Sequence, residues 1–245
     1  MTVAEPASVE RAPVRGHFWR ELRLLGNALL IYLGAFLVTG IVVGIAKIKD
    51  VGGGDVSSNP ASTPLLLASI VGGLATAAFI LRRMPRTSGV ALRDLGVRPL
   101  RSRDWATIAI GVGATLLVKF ALGYLLVATG NGHHRQAGFE HLHVSTVAAA
   151  ASFFLATALV APFCEELFFR LLLFRTLSEK MPWLLAATIS ALLFGVAHGD
   201  RLLFPTLAAM GFVNALAYRQ SGNIFTAVAI HVANNSVAAI ALSLG

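Results

Sequence analysis

Between Ala106 and Thr129 the chain carries one charge, Lys119, in an otherwise apolar and small-residue run. At 1.5 Å per residue, about 20 such residues cross the roughly 30 Å hydrocarbon core of a bilayer as a helix. Comparable runs cover Leu24–Ala46, Pro64–Leu81, Val144 through Pro162 to Glu179, Trp183–His198, Leu202–Tyr218 and Asn223–Leu244. None alternates apolar and polar side chains as a transmembrane barrel strand does. Charged residues make up 13% of the chain and hydrophobic ones 56%, against about 25% charged in soluble domains. The pattern predicts an all-α, polytopic transmembrane helical bundle of about seven spans.

The basic residues orient that bundle. Arg11, Arg15, Arg20 and Arg23 lie in a polar stretch without the features of a cleaved secretory signal, which reads as a cytosolic tail. Seven arginines fill Arg82 to Arg103 between two apolar runs. With the N-terminus in the cytosol, 14 of the 20 Lys and Arg residues fall inside and only Lys47, Lys49, Arg135 and Arg201 outside, as the positive-inside rule asks. Membrane orientation thus accounts for the net charge of +8, and nucleic acid is excluded as a partner. The expected organisation is a cytosolic polar tail over 1–23, N-terminal transmembrane helices and loops over 24–143, and a helical core over 144–245. Membrane lipids surround it, and the cell membrane is the expected location.

Several features read as structural. The single Cys164 excludes an intramolecular disulfide and suits a small buried side chain. Gly40 and Gly44 have the spacing that lets helices approach closely. Gly52-Gly53-Gly54-Asp55 resembles the GxGD signature of intramembrane aspartyl proteases, but it lies outside any apolar run and no Tyr-Asp pair supplies a second carboxylate. His133, His134, His141 and His143 fall in a wet loop without the regular spacing of a zinc site. Lys119 is read as structural, with snorkelling open to it.

The chemistry concentrates elsewhere. Of the 12 acidic residues only Glu165 and Glu166 lie well inside apolar runs, and of the 7 histidines only His198 and His231. A charge in hydrocarbon costs about 2.5–3.5 kcal/mol on insertion scales, so such groups seek one another or a wet cavity. If the turn near Lys180 joins two antiparallel helices, Glu165 and His198 stand 15 and 18 residues from it, a mismatch of roughly 4.5 Å in depth. His231, nine residues past Gly222, sits about 13 Å into its own helix. Glu165 and Glu166 project about 100° apart, so one faces a cavity while Glu166 meets Arg170 one turn on. His231 shares a face with Asn235, and Phe194, one turn before His198, walls the site. A partly desolvated carboxylate with two imidazoles and an amide is hydrolase chemistry, able to activate water and stabilise an oxyanion. Glu165, His198 and His231 are equally a zinc set, and metal-assisted water activation stays open.

At these positions the chain resembles the CAAX protease and bacteriocin-processing (CPBP, or Abi) intramembrane proteases, which include the CAAX prenyl endopeptidases. The EExxxR pattern matches Glu165-Glu166-Leu167-Phe168-Phe169-Arg170, FxxxH matches Phe194-Gly195-Val196-Ala197-His198, and HxxxN matches His231-Val232-Ala233-Asn234-Asn235. The resemblance covers Val144 to Leu244. It implies that Glu165 with His198 activates the attacking water, that His231 with Asn235 stabilises the oxyanion, and that Glu166 and Arg170 support the site. The implied substrate is a peptide or lipidated protein. Other classes compete: a non-catalytic membrane scaffold or immunity protein, and a proton-coupled transporter, for which the chain lacks paired repeats. It also lacks HExxH, and Ser221 lacks the first Gly of GxSG.

Overall fold

The structure is a computed structural model, and it describes residues 18–49, 62–131, 151 and 153–244. Asp55 and the His133–His143 loop lie outside the described residues, as does the packing at Gly40 and Gly44. Seven helices and no strand are found among the described residues: α1 (Phe18–Lys49), α2 (Ser62–Ser88), α3 (Ser102–Ala128), α4 (155–178), α5 (Trp183–Ala197), α6 (Phe204–Ser221) and α7 (Ile224–Leu244). By length and composition, α3 is the helix among them that is apolar enough to cross a bilayer, and α5 and most of α7 form shorter apolar helices. The outward face of α3 presents Ile110, Leu117, Phe120 and Tyr124, a surface suited to hydrocarbon rather than water.

Helix α4 is the hub, packed against α1, α2, α5, α6 and α7, while α3 lies on α6 and α7. Its ladder changes register three times: π-helical over Leu155–Val160, α-helical over Ala161–Glu166, π-helical over Leu167–Phe174 and α-helical again over Arg175–Ser178. Pro162 supplies a reason for the first change. A proline inside a helix has no N–H to give and its ring crowds the carbonyl four residues back, so a wider turn relieves it. Accordingly the N–H of Ala161 reaches Ala156 O, five residues back. The core on this hub is apolar, with Leu167, Leu171 and Leu172 against Ile80, Met84 and Ala187, all fully buried.

Helix α1 starts at Phe18, ahead of the apolar run that begins at Leu24, so the end of the polar tail is helical. The reason is Glu21, fully buried and held by Arg175 Nη1 at 2.9 Å and Thr176 Oγ1 at 3.0 Å, both on α4. That pair draws the first turn of α1 onto the hub.

A second polar clasp lies at the same end of the bundle, where Tyr218 packs on Phe174 and donates to Leu95 O. Asp104 Oδ2 accepts from the Arg101 N–H at 2.9 Å, from Arg98 Nη1 at 3.0 Å and from Asn223 Nδ2 at 3.1 Å. Arg98 Nη2 donates to Ser221 O at 2.9 Å, and the N–H of Ile224 donates to Gly96 O at 2.9 Å. Gly222 ends α6 with φ +60, the left-handed conformation that glycine adopts without strain. Gly96 must be glycine for a second reason, because a Cβ there would stand 2.8 Å from Gly222 O. The α2–α3 loop thereby fixes the first turn of α7, and with it the depth of His231.

Candidate active site

Four helices bring the ionisable side chains to one place. Helix α4 supplies Glu165, Glu166 and Arg170, α5 supplies Phe194 and ends at His198, α6 supplies Asn214, and α7 supplies His231. Glu166 and Arg170, both fully buried, form the predicted one-turn pair, with Arg170 Nε 3.0 Å from Glu166 Oε2. The other oxygen of Glu166 accepts from His231 Nδ1 at 2.7 Å and from Asn214 Nδ2 at 2.9 Å. Arg170 in turn donates from Nη2 to Gly211 O at 3.0 Å and lies 4.6 Å from the centre of the Phe194 ring. Each charge is thus met by a counter-charge and by hydrogen bonds, the condition under which a buried ion pair is tolerated.

Glu165 differs from its neighbour. Its side chain is 25% exposed, and its Oε2 stands 3.8 Å from His198 Nε2 and 3.8 Å from His231 Nε2. Both separations exceed a hydrogen bond, and Oε2 is buried with no hydrogen-bond partner. The tautomers follow from the far sides of the rings. His198 Nδ1 lies 2.8 Å from the Phe194 carbonyl and His231 Nδ1 lies 2.7 Å from the Glu166 carboxylate. Both oxygens are pure acceptors there, so each Nδ1 carries a hydrogen, and in its neutral form each ring turns a bare Nε2 toward Glu165. Three acceptors therefore converge on one gap, and a water fits the chemistry of that gap by donating to two of them.

Phe194 is fully buried between the parts, its ring 4.6 Å from that of His198 and 5.6 Å from that of His231, centre to centre. It fixes both imidazoles and covers Arg170. Asn235, the amide that the motif pairs with His231, is held from α4. Its Nδ2 donates to Thr157 O at 2.9 Å, which ties α7 to the π-helical turn of α4. Lys119 Nζ donates to Asn234 O at 3.2 Å, and Asn234 Nδ2 donates to the Ile230 carbonyl and to Thr115 Oγ1. The structure therefore brings Glu165, His198 and His231 together around one gap, with Glu166, Arg170 and Phe194 behind them.

Asn214 is the participant that sequence reasoning missed. It is a neutral amide, so a search for ionisable groups in apolar runs passes over it. A polar side chain flanked by Val213 and Ala215 in the middle of α6 was the available signal.

A zinc ion would draw on Glu165, His198 and His231. The bare Nε2 atoms are of the right chemistry for a metal, since a histidine that gives its other N–H to an oxygen is the usual ligand form. The spacing is not: among the described residues no group of three or more His, Cys, Asp or Glu side chains is arranged to hold a metal ion.

Comparison with known proteins bears on the same helices. Residues 147–237 match the family model described as type II CAAX prenyl endopeptidase Rce1-like. Over this stretch the chain is similar to CPBP-type membrane proteases. YdiL of Bacillus subtilis, named as a membrane peptidase, is 29% identical over 97 residues, 40% of each chain. The membrane-embedded CAAX protease MroQ of Staphylococcus aureus is 23% identical over 142 residues, 56% of each chain. The alignments thus span about half the length of these relatives. No solved structure matches. The match to the Rce1-like family model takes in all three motifs and α4 through most of α7, and it leaves α1, α2 and α3 outside.

Proposed function

We propose that the chain is a CPBP-type intramembrane endopeptidase in which Glu165 activates the attacking water. The observation that carries this reading is the largely buried Glu165 carboxylate facing two imidazole Nε2 atoms at 3.8 Å. A water in that gap gives a proton to Glu165 as its oxygen attacks the scissile carbonyl carbon, with His198 orienting it. The oxyanion that forms needs a donor. His231 becomes one when its Nε2 takes a proton from bulk water before the attack and keeps it through the turnover, and Glu166, 2.7 Å from Nδ1, stabilises that imidazolium. The proton on Glu165 then passes to the leaving amine and regenerates the carboxylate. No step is routed through a metal.

The placement in the membrane extends the same reading. Seven spans with a cytosolic N-terminus in the cell membrane put the gap in the cytosolic half of the bilayer, as the arginines of 82–103 favour. The substrate is then a peptide segment delivered to that membrane face, and the names of the family and of MroQ favour a lipidated protein tail.

The test is cleavage, in detergent, of prenylated and unprenylated tail peptides by the wild type and by Glu165→Ala. Loss of a positioned general base lowers the rate by about 10²–10⁴-fold, and the thermal unfolding midpoint should stay unchanged. Undiminished cleavage by Glu165→Ala would remove the assignment. A wild type that cleaves neither peptide, yet still acts in cells through Glu165→Ala, would select the scaffold reading. Activity lost to a chelator and restored by zinc would replace the metal-free step.

A further inference from the structure

We propose that the groove between the first turns of α1 and the last turns of α2 is a binding site for one anionic phospholipid. The groove encloses about 430 Å³ and lies away from Glu165. Its lining is graded along the helix axes. Arg20 and Arg23 on α1 face Arg83 on α2 at the outer end, and Leu30 and Ile31 face Phe79 deeper in. Arg20, Arg23 and Asn27 follow one another at the three- and four-residue intervals that place side chains on one helix face. Arg20 and Leu30 are ten residues apart, or about 15 Å along the axis. Cations outside and aliphatic side chains within repeat the order of a phospholipid, phosphate first and acyl chain below it.

Among the described residues the charge of the groove is uncompensated. Arg20, Arg23 and Arg83 are exposed, and among the described residues none is paired with a carboxylate. The nearest acid in sequence, Glu21, points the other way and is committed to Arg175 and Thr176 on α4. Guanidinium groups suit phosphate because their planar fork gives parallel hydrogen bonds. A free phosphate would satisfy the arginines and leave Leu30, Ile31 and Phe79 with nothing to cover, which is why the lipid is the better occupant.

The experiment is native mass spectrometry of the full chain in detergent, titrated with phosphatidylglycerol and phosphatidylcholine. Retention of phosphatidylglycerol should exceed that of phosphatidylcholine by roughly tenfold, given a favourable contribution from each basic residue near an anionic headgroup. The triple variant Arg20→Gln, Arg23→Gln, Arg83→Gln should bring the two lipids to parity. The charge-matched control Arg82→Gln, Arg93→Gln, Arg103→Gln should keep the preference. Should the triple variant not fold, Arg83→Gln alone should show an intermediate loss. An unchanged preference in the triple or in Arg83→Gln, or an equal loss in the control, overturns the site. Displacement of phosphatidylglycerol by excess inorganic phosphate overturns the lipid in favour of a free anion. A preference that appears only after deletion of 1–17, which holds Glu5 and Glu10, overturns it in favour of the tail.

Discussion

The helices α4 to α7 and the hairpin α1–α2 meet on one apolar core but are secured by different means. In the first region the buried pair on α4 also reaches other helices: Glu166 holds Arg170, His231 and Asn214, and Arg170 also holds Gly211 O. In the second, one buried acid at the start of α1 meets one turn of α4, and small residues do the rest, with Gly72 against Ala35 and Gly73 against Cys164. The lesson is that polar side chains are concentrated where geometry must be unique, since an apolar seam tolerates sliding that a network of directed bonds does not. Removing one member of the network should therefore cost far more than removing the tether of the hairpin.

The largest effect is expected from Arg170→Met. It leaves the Glu166 carboxylate buried without its counter-charge, a loss of about 3–5 kcal/mol for a pair broken on one side. Thermal unfolding in detergent reads that loss. The double variant Glu166→Leu, Arg170→Met should recover much of the stability, because it removes both charges. It should not recover cleavage, because His231 has then lost the carboxylate that sets its tautomer. Full recovery of cleavage by the double variant would show that the network only stabilises.

A smaller loss is expected where the network is packed tightly but not charged. A Cβ added at Gly211 would lie 3.1 Å from Ala191 Cα, 3.3 Å from Ala191 O and 3.3 Å from Arg170 Nη2. Two of those atoms are backbone and cannot turn aside, so α5 and α6 must part slightly. Gly211→Ala should cost about 1–3 kcal/mol, the range for overpacking, and should slow cleavage by shifting Arg170. The same change at Gly113, where nothing lies within 4 Å of the added atom, is the control and should leave both quantities unmoved.

These differences also mark what the linear sequence could convey. Glu165, His198 and His231 stood out because ionisable side chains are rare inside apolar runs, and counting residues from the Lys180 turn gave Glu165 and His198 similar depths. The Glu166–Arg170 pair followed from helix periodicity alone. The bond from Glu166 to His231 did not, since it joins residues 65 positions apart and depends on how α7 is seated by the Asp104 clasp. Asn235 shows the same limit: spacing puts it on the His231 face, yet the π-helical turn at Leu155–Val160 offers it the Thr157 carbonyl. The sequence runs one apolar helix through Pro162, and the π-helical register beside it appears only in the structure.

The smallest effect should come from the tether itself. Glu21→Gln keeps the size of the side chain and an acceptor for the Thr176 hydroxyl, so only the charge facing Arg175 is lost. Arg175 is partly open to solvent, and its Nη2 already lies 3.9 Å from Glu179 Oε1, so it has a second carboxylate to turn to. Both facts reduce the cost to about 1 kcal/mol, at the upper end of the range for screened pairs. Hydrogen exchange should accelerate in the first turns of α1 while the amides of α4 to α7 keep their protection, and cleavage should remain within about twofold of the wild type. A loss of activity as large as that of Arg170→Met would erase the contrast between the two regions, because it would mean that α1 is held to the hub as part of the catalytic body rather than laid against it.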